Sequence, residues 1–120
     1  MTVLQRMPEV LIIQLVRFSN FRNGYSPDKI SALVDFDLEA ADFSEFSGCK
    51  DDVYDLVGVC NHFGVLGGGH YVAYVCRDVT DSRPGSDWVE LDDGVALPIE
   101  KKHVVSSAAY ILFYRRRQEV

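Results

Sequence analysis

His70 follows a run of glycines, Gly67, Gly68 and Gly69, and opens the apolar, aromatic stretch HYVAYVC; further along, WVELDD supplies two adjacent carboxylates, Asp92 and Asp93. An imidazole and a carboxylate make a general base and its orienter when the fold brings them together. The carboxylate accepts a hydrogen bond from one ring nitrogen, fixes the tautomer, leaves the other nitrogen free and stabilises the imidazolium that forms on proton uptake. Residues 70–76 and 88–92 read as an antiparallel hairpin, and setting Tyr74 against Trp88 places Ala73 against Val89, Tyr71 against Leu91 and His70 against Asp92. This register gathers Tyr71, Ala73, Val75, Val89 and Leu91 on one apolar face, as period-two alternation requires. Directly opposed residues have Cβ atoms about 4.5–5.5 Å apart, within hydrogen-bonding reach of their side chains. From the residues alone, a second reading stands level with this one: His70 as an ordinary loop histidine. Asp93 also has two readings open, the start of a turn that Gly94 completes, or a second carboxylate or water-positioning group beside the pair.

Gly67, Gly68 and Gly69 carry no Cβ, so another chain can lie close against the backbone here. A site that receives an extended, narrow peptide needs this. Phosphate cradling does not fit, because the loop matches neither GxxxxGK[ST] nor GxGxxG and no helix start follows it. Cys60, His62, His70 and Asp92 are all metal-ligand types, and Cys60 and His62 would share a strand face. They lack any familiar zinc spacing, and a coordinated His70 would be lost as a base. No metal and no cofactor are therefore expected. His62 reads as a structural loop residue, and His103 as a solvated one.

The elements that must position these groups are mostly strands. Val10–Phe18 is rich in β-branched residues and reads as a buried strand, followed by turn chemistry at Asn23-Gly24 and Ser26-Pro27. Residues 30–38 suggest a short strand or extended piece, and 37–46 a short helix or helical turn. Alternation marks 53–63 as a strand, and Pro84-Gly85 lies in a loop between the two hairpin strands. A helical turn is expected near 100–105, and AAYILFYRRR closes the chain as a strand buried on both faces with its basic end in water. The fold class is α+β, an antiparallel sheet with short helices.

The chain has 120 residues, 48% hydrophobic, which is globular composition and room for one domain or part of one. Eighteen acidic against twelve basic residues give a net charge of −6, which argues against nucleic acid as the main partner. The apolar run near the N-terminus is far shorter than the roughly 20 residues of a membrane span, so neither a span nor a signal peptide is expected. Cys49, Cys60 and Cys76 form no CxxC pair. They read as thiols in a reducing, intracellular compartment, cytoplasm or nucleus.

Four stretches in this order, PEVLIIQLVRFSN, YDLVGVCNHFGVLGGGHYVAYVCRD, WVELDDGVALPI and AAYILFYRRR, resemble the C-terminal part of the ubiquitin-specific protease family. GGGHYVAY and WVELDD resemble its histidine box and the acidic box that follows. The resemblance implies a thiol isopeptidase with a papain-like core, in which a cysteine attacks the carbonyl of ubiquitin's terminal glycine. It implies His70 as the general base, Asp92 as its orienter and Asp93 as a second polar position near the active centre. By the same resemblance, the Asn61–Gly69 loop closes over the ubiquitin tail, Tyr71 lines the tail channel, and the basic tail suits an acidic, glycine-lined groove.

Two departures stand out. The family's first strand usually carries a histidine and a lysine where this chain has Gln14 and Val16, a tolerable change in a packing strand. More seriously, no N-T-C-[FYW]-[ML]-N box is present, and none of the three cysteines approaches a helix N-terminus, where thiol pKa falls. The chain thus reads as a single segment, residues 1–120, supplying the histidine half of a catalytic domain and inactive alone. Its partners would be ubiquitin, ubiquitinated proteins and the missing cysteine-bearing half, and the pure segment is expected to self-associate. The rival reading is a non-catalytic ubiquitin-binding or scaffold module of the same fold. A self-contained hydrolase using Cys60 with His70 is the least favoured.

Overall fold

The structure is a computed structural model; it describes residues 6–18, 30–49, 52–65, 68–77 and 88–117. The Asn23-Gly24 and Pro84-Gly85 turns and Gly67 lie outside these residues. The described strands are β1 (Val10–Gln14), β2 (Ala41–Asp42), β3 (Val53–Phe63), β4 (His70–Cys76), β5 (Trp88–Asp92), β6 (Val95–Pro98) and β7 (Ala109–Arg116). They form one sheet in the order β1-β7-β3-β4-β5-β6, with β2 paired to β3. All the pairings are antiparallel. A one-turn helix, α1 (Ser44–Ser47), and a 3-10 turn at Lys101–His103 are the helical pieces among the described residues. The α+β class and the antiparallel sheet agree with the sequence pattern.

β3 and β7 run through the middle of the sheet, and one face of each supplies the core; β7 is not buried on both faces as expected, since Ile111 and Phe113 on its other side are only partly buried. Tyr54, Leu56, Val59, Leu112 and Tyr114 are each 3% exposed or less and form the centre of the core with Val72, Tyr74 and Trp88. At roughly 25 cal/mol per Å² of apolar surface removed from water, each such side chain contributes about 1.5–3 kcal/mol.

Several expectations need correction. β1 is an edge strand, not a buried one: Ile12 is 59% exposed and Val16, beyond its end, 80%. Gln14 and Val16 are consequently not packing positions; Gln14 Nε2 donates to the Tyr110 hydroxyl at 2.9 Å. The basic end of β7 is only partly in water, since Arg116 turns back onto the buried Asp52 at 2.7 Å. Residues 30–38 form no regular strand, although the Leu38 carbonyl accepts from the Leu56 N–H at 2.9 Å.

The β4–β5 hairpin exists, but its register differs from the sequence-based one by two residues. Trp88 pairs with Cys76 and Leu91 with Ala73. An even slip leaves every side chain on its original face, so Tyr71, Ala73, Val75, Val89 and Leu91 do share one. That face is the less buried one: Tyr71 is 52% exposed and Leu91 43%, whereas Val72, Tyr74 and Trp88 on the other face are 4%, 8% and 6%. The aromatic rings of Tyr74 and Trp88 decide which side becomes core.

Candidate active site

His70 is the first residue of β4 and Asp92 the last of β5. Continuing the observed register sets Val72, not His70, opposite Asp92. His70 therefore meets Asp92 diagonally, where Cα separations of about 7–8 Å are still spanned by longer side chains. His70 Nε2 lies 2.6 Å from Asp92 Oδ1. Both side chains are about half exposed, at 48% and 45%.

The hydrogen bond to Asp92 and that carboxylate's charge raise the His70 pKa above its ordinary value; slight burial opposes this, and Asp93 adds to it. With Nε2 committed to the carboxylate, Nδ1 is the ring atom left to exchange a proton with a reacting group. Asp93 Oδ2 stands 4.0 Å from the same Nε2, with 85% of its side chain in solvent.

Asp93 is placed by the backbone. With Gly94 it connects β5 to β6, and their φ angles of 46° and 85° are both positive. Two positive values at the centre of a two-residue hairpin define the type I′ turn, for which Asp-Gly is a favoured pair. The turn reading of Asp93 is thus realised in the same residue that puts a second carboxylate near the imidazole.

The glycines divide by role. Gly68 has ordinary room for a Cβ, with Val65 Cγ2 at 3.6 Å, and its N–H donates to the Val65 carbonyl at 3.2 Å. Gly69 has no such room, because a Cβ there would fall 2.6 Å from the Phe63 carbonyl oxygen and closer still to His62 Nε2. At residue 69, then, the close approach is made by the protein's own interior.

His62 is the residue that sequence reasoning misplaced. It belongs to β3 and is 2% exposed, so it is a buried strand residue and not a loop one. The alternation through VGVCNHF, which puts it on the face of Cys60, was the available signal. β3 and β4 send Cys60 and His62 to the face opposite His70, so the four potential ligands Cys60, His62, His70 and Asp92 do not converge. His70, Asp92 and Asp93 do place one potential ligand atom each within 4.8 Å of one another. The 2.6 Å contact is that of a hydrogen bond; two ligand atoms on one zinc ion at about 2.0–2.2 Å would stand farther apart.

No thiol joins this group. Cys60 faces away, and burial pushes its pKa up, the reverse of what an attacking thiolate needs. Cys49 is exposed beyond α1, and no disulfide involves Cys49, Cys60 or Cys76.

Residues 1–114 match the family described as ubiquitin carboxyl-terminal hydrolase. The chain is 42% identical over 121 residues to human ubiquitin carboxyl-terminal hydrolase 19, covering 96% of this chain and 9% of that protein. It is 39% identical over 117 residues to ubiquitin carboxyl-terminal hydrolase 8 of Arabidopsis thaliana, covering 94% of this chain and 12% of that one. Among solved structures, the Ubp8-Sgf11-Sgf73-Sus1 SAGA DUB module superposes with a TM-score of 0.83 at 30% identity, over 97% of this chain and 26% of the matched one. A Ubp8 DUB module bound to monoubiquitin gives 0.77 at 30% identity, over 95% and 24%. The chain thus spans about a tenth of these relatives and about a quarter of the solved chains. With a match over nearly its whole length, this chain belongs to the ubiquitin carboxyl-terminal hydrolase family.

Proposed function

We propose that residues 1–120 are a single segment, the C-terminal histidine-bearing part of a deubiquitinase catalytic domain, inactive until joined to a cysteine-bearing segment. The observation that carries this reading is the 2.6 Å bond from His70 Nε2 to Asp92. It orients an imidazole whose Nδ1 is left to work. In the completed domain His70 Nδ1 takes the proton of the nucleophilic thiol, the thiolate attacks the carbonyl carbon of ubiquitin's terminal glycine, and the imidazolium returns the proton to the leaving amine. Asp92 holds the ring and stabilises its cationic form. Asp93 adds a second negative charge, while Gly67, Gly68, Gly69 and Tyr71 border the channel for the ubiquitin tail.

Two further observations support an incomplete unit. The chain is matched almost entirely by about a quarter of each solved deubiquitinase chain. In addition, Ile12, Leu91, Val95 and Leu97 are each between 43% and 59% exposed, apolar surface that a covering segment would remove from water. Ubiquitin and ubiquitinated proteins are the proposed partners, with no role for nucleic acid, membrane, metal or cofactor. The proposed compartment is intracellular, cytoplasm or nucleus. Alone, the chain is expected to self-associate through exposed sheet edge and apolar face, and light scattering showing a clean monomer would count against this.

The decisive experiment joins the chain to a family cysteine-bearing segment and follows cleavage of a fluorogenic ubiquitin substrate. Activity should appear in the joined protein and vanish with His70→Ala. Survival of cleavage in that variant, or labelling of the chain alone at Cys60 by a ubiquitin-derived electrophile, would sink the assignment. A joined protein that binds ubiquitin and never cleaves it would favour the scaffold reading.

A further inference from the structure

About half of the His70 side chain is in solvent, so packing does little to hold it. Its placement depends on the Asp92 hydrogen bond and on where the backbone of residues 69 and 70 lies. That backbone rests on His62. Across β3 and β4, His62 pairs with Tyr71 and Phe63 with His70, which puts the two histidines on opposite faces of neighbouring pairs. The His62 ring is met edge-on by Tyr71 at 4.9 Å, Phe18 at 5.3 Å and Tyr110 at 6.3 Å between centroids. Its backbone N–H donates to the Ala108 carbonyl at 2.9 Å. The ring also bears on Gly69: a Cβ built there would come within 2.6 Å of Cε1 and nearer to Nε2. A buried ring clamped by three aromatic neighbours is therefore in contact with the α-carbon of the residue covalently joined to His70.

We infer that His62 is a positioning residue, whose clamped imidazole sets the location of the Gly69–His70 peptide and so keeps the His70 ring within bonding reach of Asp92. This rests on the proposed roles of His70 and Asp92 and adds to them a residue on the opposite face. Displacing a reacting group by about 1 Å can cost on the order of a hundredfold in rate, which is why a support behind the glycine matters. It also gives Gly69 a physical reason to be glycine that is independent of substrate.

The test titrates the His70 ring by NMR in the 120-residue chain, which needs no activity, with thermal melting followed in parallel. Asp92→Asn is the control and should bring the His70 midpoint down toward the ordinary 6.5. His62→Ala removes the support, and Gly69→Ala presses on the same contact while leaving the core ring in place. Each should also lower the midpoint, and the double variant should lower it by less than the sum of the two, because with the ring gone only the Phe63 carbonyl opposes the new methyl group. An unchanged midpoint in both single variants, or strict additivity in the double, overturns the inference. If Asp92→Asn itself leaves the midpoint in place, the proposed base and orienter fail first, so the two failures are distinguishable. In the joined enzyme, His62→Ala should lower kcat with KM little changed; a raised KM at unchanged kcat would refute positioning.

Discussion

The two ends of β3 use similar side chains to opposite effect. At its C-terminal end, beside β4 and β5, a hydrogen-bonded histidine and aspartate stand half in solvent. At its N-terminal end, Tyr54 and Tyr114 are 0% and 2% exposed and Phe43 meets both rings edge-on at 5.6 Å. There the Tyr114 hydroxyl donates to the Asp37 carbonyl at 2.7 Å, the Tyr54 hydroxyl to the Pro8 carbonyl, and Arg116 bridges the buried Asp52 and the Met7 carbonyl at 2.7 and 2.8 Å. Their titration differs as well. Burial, helped by the Asp37 charge, pushes the Tyr114 phenol up to about 12, whereas the rise at His70 comes from a partner's hydrogen bond and charge. A polar group sunk in the core is committed to holding segments together. One left at the rim contributes little to stability and remains available to gain and lose a proton.

That contrast can be broken by substitution. His70→Ala in the joined enzyme should reduce kcat/KM by about a thousandfold and leave the melting temperature of the chain nearly unchanged. Asp92→Asn should cost on the order of a hundredfold or more in the same cleavage assay. At the other end, Asp52→Ala strands Arg116 and should cost about 2–3 kcal/mol in denaturant unfolding, with cleavage by the joined enzyme preserved wherever it stays folded. If instead the rim variants unfold the chain and the core variants silence it, the division between the two ends is wrong.

A smaller effect sharpens the comparison through pH. Both His70 and Tyr114 have folded values above their unfolded ones, so each stabilises the fold at low pH and loses that contribution as pH rises. For His70 the contribution is fully present below about 6.5 and disappears as pH passes the raised value; the melting difference between wild type and His70→Ala should shrink across that window. For Tyr114 the loss falls between 10.0 and about 12, and Tyr114→Phe should remove it from alkaline melting curves. Smallest of all is Asp93→Asn, which should change cleavage by no more than the roughly 0.2–1 kcal/mol of an exposed charge interaction.

Much of this arrangement was legible in the residues. β3, β4 and β5 follow from their β pattern and β7 from its apolar run, and the meeting of His70 with Asp92 follows from placing both on one hairpin face. The register was not legible, because alternation is blind to an even slip: both registers send the same residues to the same side, and the burial of Tyr74 and Trp88 decides only which side is core. β6 escaped notice since all four of its residues are exposed and it ends on Pro98, so no buried stripe marks it. The residues of Val10–Phe18 suggest a buried strand because they are mostly apolar and rich in β-branched types, whereas the edge position of β1 depends on where β7 docks. The strand position of His62 was legible in the alternation of 53–63, whereas its aromatic clamp was not, because Phe18 and Tyr110 are far away along the chain.

The turn at Asp93 and Gly94 has a consequence for how such a site can diversify. Type I′ geometry accepts asparagine as readily as aspartate at its first central position. A lineage could therefore remove or restore a negative charge 4.0 Å from the imidazole without disturbing the hairpin that carries it. The charge beside His70 at position 93 can thus change without asking the rest of the fold to adjust.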